Sequence, residues 1–329
     1  MYKIGLLNSY LYHDDRPLES IRIQSFLAGL AARGLTPGVD VVIQMVHTNS
    51  QEEIKDQINI WLEDGVDVIH AIGTPNAALA RQATNTIPIV YYGAHPQGVG
   101  REECSGWNVC GLELLLPLSF SYKKFRILRK LVPYAKKIYV PFYENVIFCY
   151  PEMRRRYREW QKIHGPSWIP QDSGHIGYRG LAGLAEIIGL DYFEFFLTDN
   201  MDIEKMLDSL DLQSGLLMVY NDLFYCKDAP ERLLRGAWER RIPVIWNNNA
   251  DMASHGALAG IAGCFEEAAD VSADMCIRIL QGQSPGQIGL VQAHKGFAAY
   301  NMEAAERFNL EPDANLLASF QQVVNGSPI

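Results

Sequence analysis

Residues 66–96 read VDVIHAIGTPNAALARQATNTIPIVYYGAHP. An apolar run ends in Gly73-Thr74-Pro75, small residues at helical spacing follow, and a second apolar run ends in Gly93-Ala94-His95-Pro96. Apolar runs of this length that alternate with helical patterns are typical of a parallel sheet covered on both faces. The stretch therefore predicts a strand, a helix and a second strand, the repeating unit of a doubly wound α/β domain.

The same alternation extends in both directions along the chain. A first series begins with a strand at residues 3–7, and a second series of similar length begins with a strand at residues 137–141. Two such series in 329 residues predict two doubly wound, Rossmann-like lobes. The part after residue 250 is too short for a third domain, so we expect the chain to cross between the lobes more than once. We expect lobe 1 to comprise residues 1–117 and 248–286, and lobe 2 to comprise residues 118–247 and 287–329, with the turn-rich stretch 151–178 as an insertion.

Composition limits the classes of partner. The net charge of −9 disfavours nucleic acid and anionic membranes, and we interpret the basic run at residues 154–158 as a solvated helix face. No apolar stretch approaches the roughly 20 residues that span a bilayer. The chain opens directly on a strand, with no export signal before it, and the sequence alone leaves a cytoplasmic and an extracytoplasmic location open.

Cysteine and histidine spacing predicts no metal site. The six cysteines contain no CxxC pair, and no HExxH motif is present. We therefore expect neither a metal nor a cofactor. Cys104 and Cys110 lie close enough in sequence to form a disulfide in an oxidising compartment, and the sequence leaves that pairing open.

Residues that follow the strands are the candidate ligand contacts, because ligands of open parallel sheets bind beyond the carboxyl ends of the strands. These positions are polar, mostly uncharged, and rich in tyrosine and asparagine, which suits hydrogen bonding and stacking more than catalysis. The predicted ligand-binding residues are Asn8, Ser9, Tyr10, Gly73, Thr74, Asn76, Tyr92, Gly93, His95, Phe142, Tyr143, Asn145, Tyr220, Asn221, Asp222, Asn247 and Asn248.

The Thr74-Pro75 pair predicts the start of a helix. Threonine is a good cap, and proline suits the first helical position, where its missing N–H costs nothing. We expect the N–H groups of Asn76, Ala77 and Ala78 to be free to bind an anionic group such as a carboxylate. A cap that satisfies only its own helix is the alternative interpretation. No Gly-Lys-Ser/Thr and no GxGxxG follows any strand, so phosphate-loop and dinucleotide sites are not predicted.

Two of the predicted site residues, Asp222 and His95, have ionisable side chains. Asp222 is placed to pair with an ammonium group of a ligand, or else to cap the helix that follows it. His95 is a possible base, but no nucleophile or partner acid lies at a spacing from it that would indicate catalysis. The aromatic residues near strand ends suit stacking on a planar group, although as many of them are explained by core packing.

Several longer segments together resemble one family. They include DQINIWLEDGVDVIHAIGTPNAALARQATNTIPIVY at residues 56–91, YNDLF at 220–224, and RRIPVIWNNNADMASHGALAGIAGCFEEAADVSADMCIRILQGQSP at 240–285. Their order and spacing resemble the extracytoplasmic substrate-binding proteins of ABC transporters, in the tryptophan/tyrosine-type group. The likeness covers roughly residues 1–145 and 190–310.

This resemblance implies a periplasmic-binding-protein type I fold: two α/β lobes, joined by a hinge of three crossovers, that close on a small amino-acid-like ligand. It also implies an ABC permease as partner, a periplasmic or other extracytoplasmic location, a monomer, and no enzymatic activity. The family usually has an Asp-Pro turn where this chain has His95-Pro96, which changes a wall of the pocket.

Two other functions stay open from the sequence. The first is a ligand-sensing module of a signalling system, which would use the same fold to report ligand to a partner protein. The second is an enzyme on the same scaffold, with His95 as base and Asp222 as acid. The second is less favoured, because no motif for nucleophilic or metal-assisted catalysis accompanies these two residues.

Overall fold

A computed structural model describes most of the chain: residues 1–8, 20–48, 50–93, 108–113, 118–143, 171–172, 181–197, 201–211, 215–219, 228–247, 249–292 and 295–328. The chain forms two compact units. Unit 1 comprises Met1–Leu116 and Gly263–Lys295, and unit 2 comprises Pro117–Ala262 and Gly296–Ile329. The chain therefore passes from one unit to the other three times.

Unit 1 is built on a parallel sheet. Its described strands lie in the order β12-β5-β4-β3-β1-β2, and each pair of neighbours is parallel. The elements are β1 (Tyr2–Asn8), α1 (Ile21–Ala32), β2 (Val41–His47), α2 (Gln51–Asp64), β3 (Val68–Ile72), α3 (Thr74–Ala83), β4 (Ile89–Tyr92), β5 (Val109–Glu113), α8 (Phe265–Leu280), α9 (Pro285–Ile288) and β12 (Leu290–Gln292).

Helices cover both faces of this sheet, which explains why its strands are continuous apolar runs. On one face, residues of α1 and α8 pack against β1, and Phe26 and Cys276 belong to the same buried cluster as Leu6. On the other face, the ring of Trp61 in α2 lies over Gly5, at the position that a Cβ atom would occupy. The core of unit 1 is thus two layers of side chains with the sheet between them.

Unit 2 also contains a mainly parallel sheet, in the order β14-β13-β11-β10-β9-β6-β8-β7. Strands β8, β6, β9, β10 and β11 run parallel, whereas β7 is antiparallel to β8. The elements are α4 (Leu118–Leu131), β6 (Lys137–Tyr143), β7 (Gln171–Asp172), α5 (Leu181–Ile187), β8 (Asp191–Leu197), α6 (Met201–Ser209), β9 (Gly215–Val219), α7 (Ala229–Glu239), β10 (Val244–Asn247), a 3₁₀ helix (Asp251–His255), β11 (Ala259–Gly263), β13 (Gly296–Asn301), α10 (Met302–Arg307), α11 (Ala314–Leu317) and β14 (Gln322–Val324).

The predicted fold class is confirmed, but the chain divides differently from the expected lobes. Residues 248–262 fall in unit 2, because β11 pairs in parallel with β10. Residues 287–295 fall in unit 1, because β12 pairs with β5. The proposed insertion at 151–178 lies outside the described residues, apart from the two residues of β7. Within the described part of the chain, no helix is both long and apolar enough to cross a membrane.

Candidate functional site

The carboxyl ends of three strands of unit 1 bring predicted site residues into one row. Gly73, after β3, donates its N–H to the carbonyl of Tyr92 at the end of β4, with an N–O distance of 2.8 Å. Gly93 in turn donates to Leu112 of β5 over 2.9 Å. Both glycines have positive φ angles, 86° and 70°, which a residue with a side chain rarely adopts. The chain therefore turns out of the sheet at two neighbouring points where backbone is exposed without a Cβ atom.

Helix α3 begins at this edge, one residue earlier than predicted. Gly73 is the capping residue and Thr74 is already the first residue of the helix, so the expectation that threonine caps it is wrong. Ala77 donates its N–H to the carbonyl of Gly73 over 3.1 Å, and Ala78 lies one position deeper in the helix. The Ala77 N–H that we expected to be free for a ligand is therefore already bonded within the helix. The Thr74 side chain is buried at the helix start, where the dipole favours an anion.

Asn8 and His47 form a polar pair at the ends of β1 and β2. The two residues are register partners, and Asn8 Nδ2 lies 2.9 Å from His47 Nδ1. An amide nitrogen only donates, so His47 accepts through an unprotonated Nδ1. Asn8 is 1% exposed, and its Oδ1 atom has no hydrogen-bond partner among the described residues. This oxygen is a buried acceptor at the predicted site.

The side chain of Asn76 links two strand ends at this edge of the sheet. Its Nδ2 atom donates to the carbonyl of Ile72 over 2.8 Å and approaches that of Leu7 at 3.5 Å, so it links the ends of β3 and β1. The residue has no exposed surface. The structure thus gives this amide a structural contact, and the predicted contact with a ligand stays a prediction.

Tyr92 packs in the core of unit 1. Its ring centroid lies 6.3 Å from that of His70 and 6.5 Å from that of Phe265, and its hydroxyl donates to the Phe265 carbonyl over 3.4 Å. Burial raises the pKa of this phenol well above its usual range. The ring therefore points into the core cluster beside α8, and this placement does not support the stacking contact predicted for it.

Two residues at this edge were not predicted from the sequence. Arg22, in the first turn of α1, is only 7% exposed, and its positive charge opposes the rise in the pKa of Tyr92. A buried cation in the first turn of a helix runs against the helix dipole, so its position needs a compensating interaction. His47 was missed although it is the last residue of β2, and the strand-end rule applied to every strand would have found it.

In unit 2, three predicted residues lie at strand ends. Phe142 and Tyr143 end β6, and Asn247 ends β10. Strand β9 separates these two strands in the sheet. The three side chains are buried, and the Phe142 ring lies 6.3 Å from that of Phe196. The predicted residues that lie outside the described part of the chain are Ser9, Tyr10, His95, Asn145, Tyr220, Asn221, Asp222 and Asn248.

The described residues include candidate metal ligands and free cysteines. They bring together no group of three or more His, Cys, Asp or Glu side chains that could hold a metal ion. Cys110 is buried with a free thiol, and burial raises its pKa to about 12. Its candidate partner Cys104 lies outside the described residues.

This edge of the unit 1 sheet thus combines two glycines, buried amides and a helix start. Residues 177–324 match the sequence model of a family described as ABC transporter substrate binding protein. A relative from Clostridioides difficile strain R20291, named tyrosine-binding protein, is 25% identical over 272 residues, which cover 80% of this chain and 70% of that protein. By both comparisons the chain is similar to substrate-binding proteins of the ABC transporter type.

Solved structures show the same fold as this chain. A conserved domain protein from Vibrio cholerae has a TM-score of 0.77 at 20% identity, over 98% of this chain and 99% of that one. An ABC domain from Streptococcus pneumonia, in complex with L-Trp, also has a TM-score of 0.77, at 17% identity and the same coverage. At these identities the likeness shows the fold, and the predicted periplasmic-binding-protein type I architecture is confirmed.

Proposed function

We propose that this chain is a substrate-binding protein that captures a small amino-acid-like ligand outside the cytoplasm and presents it to an ABC permease. The observation that carries the proposal is the row of strand ends in unit 1. There Gly73 and Gly93 turn out of the sheet side by side and helix α3 begins. Backbone without Cβ atoms lets a ligand approach closely, and the helix start favours an anionic group.

The residues at this row suit the two ends of an amino acid. We propose that Thr74 and the start of α3 bind the ligand carboxylate, since both lie where backbone dipoles point out of the sheet. Asn8 supplies a buried acceptor oxygen next to them. Asp222 is the proposed partner of the ligand ammonium group, and its role stays a prediction because it lies outside the described residues.

An aromatic amino acid is the first ligand to test. The relative from Clostridioides difficile described above is named for tyrosine, and a structure of the same fold is a complex with L-Trp. His95-Pro96, where the family usually has Asp-Pro, is the feature that we propose shifts the preference of this chain away from that of its relatives.

The proposed action is binding without turnover. The permease partner, the monomeric state and the extracytoplasmic location expected from the sequence are parts of the same proposal. Recovery of the bound ligand unchanged after prolonged incubation is the expected result. Conversion of the ligand would favour the enzyme hypothesis instead.

Calorimetric titration with a panel of L-amino acids tests the proposal. We expect one or more aromatic amino acids to bind, and we expect Thr74→Val to weaken binding more than tenfold, about 1.4 kcal/mol, because it removes a hydroxyl at the carboxylate position. Thr36→Val is the matched control, since Thr36 is exposed in the turn before β2, at the opposite end of the strands. The control should bind as the wild type does.

Two results would contradict the proposal. In the first, no amino acid binds and another class of metabolite raises the melting temperature. The ligand would then belong to that other class. Wild-type affinity in both Thr74→Val and Asp222→Asn would show that the ligand binds elsewhere.

A further inference from the structure

Strand β2 is an edge strand of the unit 1 sheet with an open side. It pairs with β1 on one side and is the last strand in the order of the described sheet. At its start the open side is occupied by a turn: Val41 donates to Thr36 and accepts from Gly38. Because alternate residues of an edge strand direct their N–H and C=O groups outward, the outward groups after Val41 include those of Ile43 and Met45. No hydrogen bond to them from outside the sheet is found among the described residues.

This edge lacks the devices that normally keep sheet edges apart. Natural edge strands carry lysines, prolines or bulges, or are very short. Strand β2 has seven residues, VVIQMVH, with no proline and no lysine, arginine, aspartate or glutamate. Val42 is 36% exposed, and Val39 in the preceding turn is 66% exposed. Among the described residues, this edge is therefore apolar and unpaired after Val41.

The sequence of β2 is complementary to itself. Around Gln44 as centre, an antiparallel partner of the same sequence places Ile43 opposite Met45 and Val42 opposite Val46. The outward groups of Ile43 and Met45 then form the hydrogen-bonded pairs of the ladder, and Gln44 meets its copy in the closer, non-hydrogen-bonded pair. The turn at Val41 limits the paired segment to residues 42–46.

We infer that the β2 edge binds a second copy of this chain, by antiparallel pairing of residues 42–46 about a two-fold axis at Gln44. The occupant is a strand, because the open groups belong to the main chain. It is the same strand, because the register that satisfies Ile43 and Met45 also puts an apolar residue opposite every apolar residue. Like charges are absent from the paired segment. The contact is small, so the dimer is weak and reversible, and it replaces the expected monomer only at high protein concentration.

Sedimentation velocity over a wide concentration range tests this inference on the full chain without added ligand. We expect the wild type to form dimers as its concentration rises and Val42→Lys to remain monomeric, because two buried lysines would enter the contact. Val323→Lys is the matched control. Val323 is a half-exposed valine on β14, the edge strand of the unit 2 sheet, so the same change there should leave dimerisation intact.

A second pair of variants tests the two-fold axis. Gln44→Lys and Gln44→Glu should each abolish dimerisation, since each brings two like charges together, and an equimolar mixture should restore a one-to-one dimer. Should one of these variants fail to fold, hydrogen exchange of the wild type decides, and exchange at Ile43 and Met45 should slow as concentration rises. A wild type that stays monomeric at its highest concentration, or a dimer that persists in Val42→Lys, overturns the inference.

Discussion

The Nε2 atom of His70 lies 3.0 Å from the hydroxyl oxygen of Ser272 in the buried core of unit 1. Ser272 donates its own proton to the carbonyl of Ala269 over 2.9 Å, so it accepts from His70, whose proton is on Nε2. Nδ1 has no hydrogen-bond partner among the described residues, and the ring stacks on Phe26 with centroids 4.1 Å apart. A second proton on this ring would be a buried charge without an acceptor.

We predict from this arrangement that the protein loses stability in mild acid. Burial lowers the pKa of His70 from its usual 6.5 to about 3. The folded state holds this ring neutral while the unfolded chain binds the proton, so stability is retained above pH 6.5 and falls between pH 6.5 and 3. For one such group the free energy of unfolding falls by roughly 1.4 kcal/mol for each pH unit in this range. Urea unfolding at a series of pH values measures it.

His70→Gln isolates this contribution, because glutamine can donate to Ser272 but does not titrate. The variant should be less stable than the wild type at neutral pH and should show a shallower loss of stability on acidification. An unchanged slope in His70→Gln would assign the acid sensitivity to other groups.

The close contact of Gly5 with Trp61 leads to a second prediction. A Cβ atom at residue 5 would lie 2.7 Å from the indole ring, which is itself fully buried under α2. Gly5→Ala should therefore lower the free energy of unfolding by about 1–3 kcal/mol through overpacking. Gly183→Ala is the control, because nothing lies within 4 Å of its added methyl group. That helical change should be neutral or stabilising, and equal effects of both variants would refute the packing argument.

Much of the fold was predictable because its signals are local. Apolar runs, helical spacing and helix-ending glycines indicated most strands and helices of both units. Helix α4 and strand β12 were missed. The lobe boundaries were displaced because sequence patterns do not show that β11 joins the unit 2 sheet and β12 the unit 1 sheet. Strand β12 has only three residues, and its place is set by pairing with β5, which sequence patterns do not show.

The site was predictable as a set of positions but not as a set of side-chain directions. Strand ends identified Asn8, Gly73 and Gly93, which the structure places at one edge. Alternate residues of a strand point to opposite faces, and nothing local tells which face is the core. Tyr92 therefore looked like a ligand contact but packs against α8. Arg22 was missed because it lies in the first turn of a helix and not at a strand end.

A third prediction concerns the ion pair between α1 and α8. Arg33 contacts both carboxylate oxygens of Asp270, at 2.6 and 2.9 Å, across 237 residues of sequence. The hydrogen bond from Arg33 lowers the pKa of Asp270, so this stabilisation is present above the usual carboxylate pKa and is lost as the pH falls through the lowered value. Both side chains are partly exposed, so a double-mutant cycle with Arg33→Gln and Asp270→Asn should give a coupling of only about 0.5–1 kcal/mol.

Salt supplies the control for this ion pair. A coupling between partly exposed charges should shrink at high ionic strength, whereas the effect of Gly5→Ala should not. Arg33→Lys keeps the charge but loses the two-pronged contact, and it should recover less than half of the coupling. A coupling that is independent of salt would indicate that packing of the arginine stem, and not its charge, joins the two helices.

The fourth prediction distinguishes a residue that stabilises the site from a residue that contacts the ligand. Asn76 donates to the carbonyl of Ile72, and removal of a buried donor leaves that carbonyl unsatisfied. Asn76→Ala should therefore lower the free energy of unfolding by about 1–3 kcal/mol. Denaturant unfolding measures this loss, and Asn315→Ala, at an exposed helical position, should change stability by less than about 0.5 kcal/mol.

Calorimetric titration of the same variants completes the argument. If Asn76 supports the edge without touching the ligand, Asn76→Ala should bind within tenfold of the wild type under conditions where it is fully folded, whereas Thr74→Val should not. A folded Asn76→Ala protein that loses binding as completely as Thr74→Val would place this amide in direct contact with the ligand. Its hydrogen bond to Ile72 would then serve to orient it.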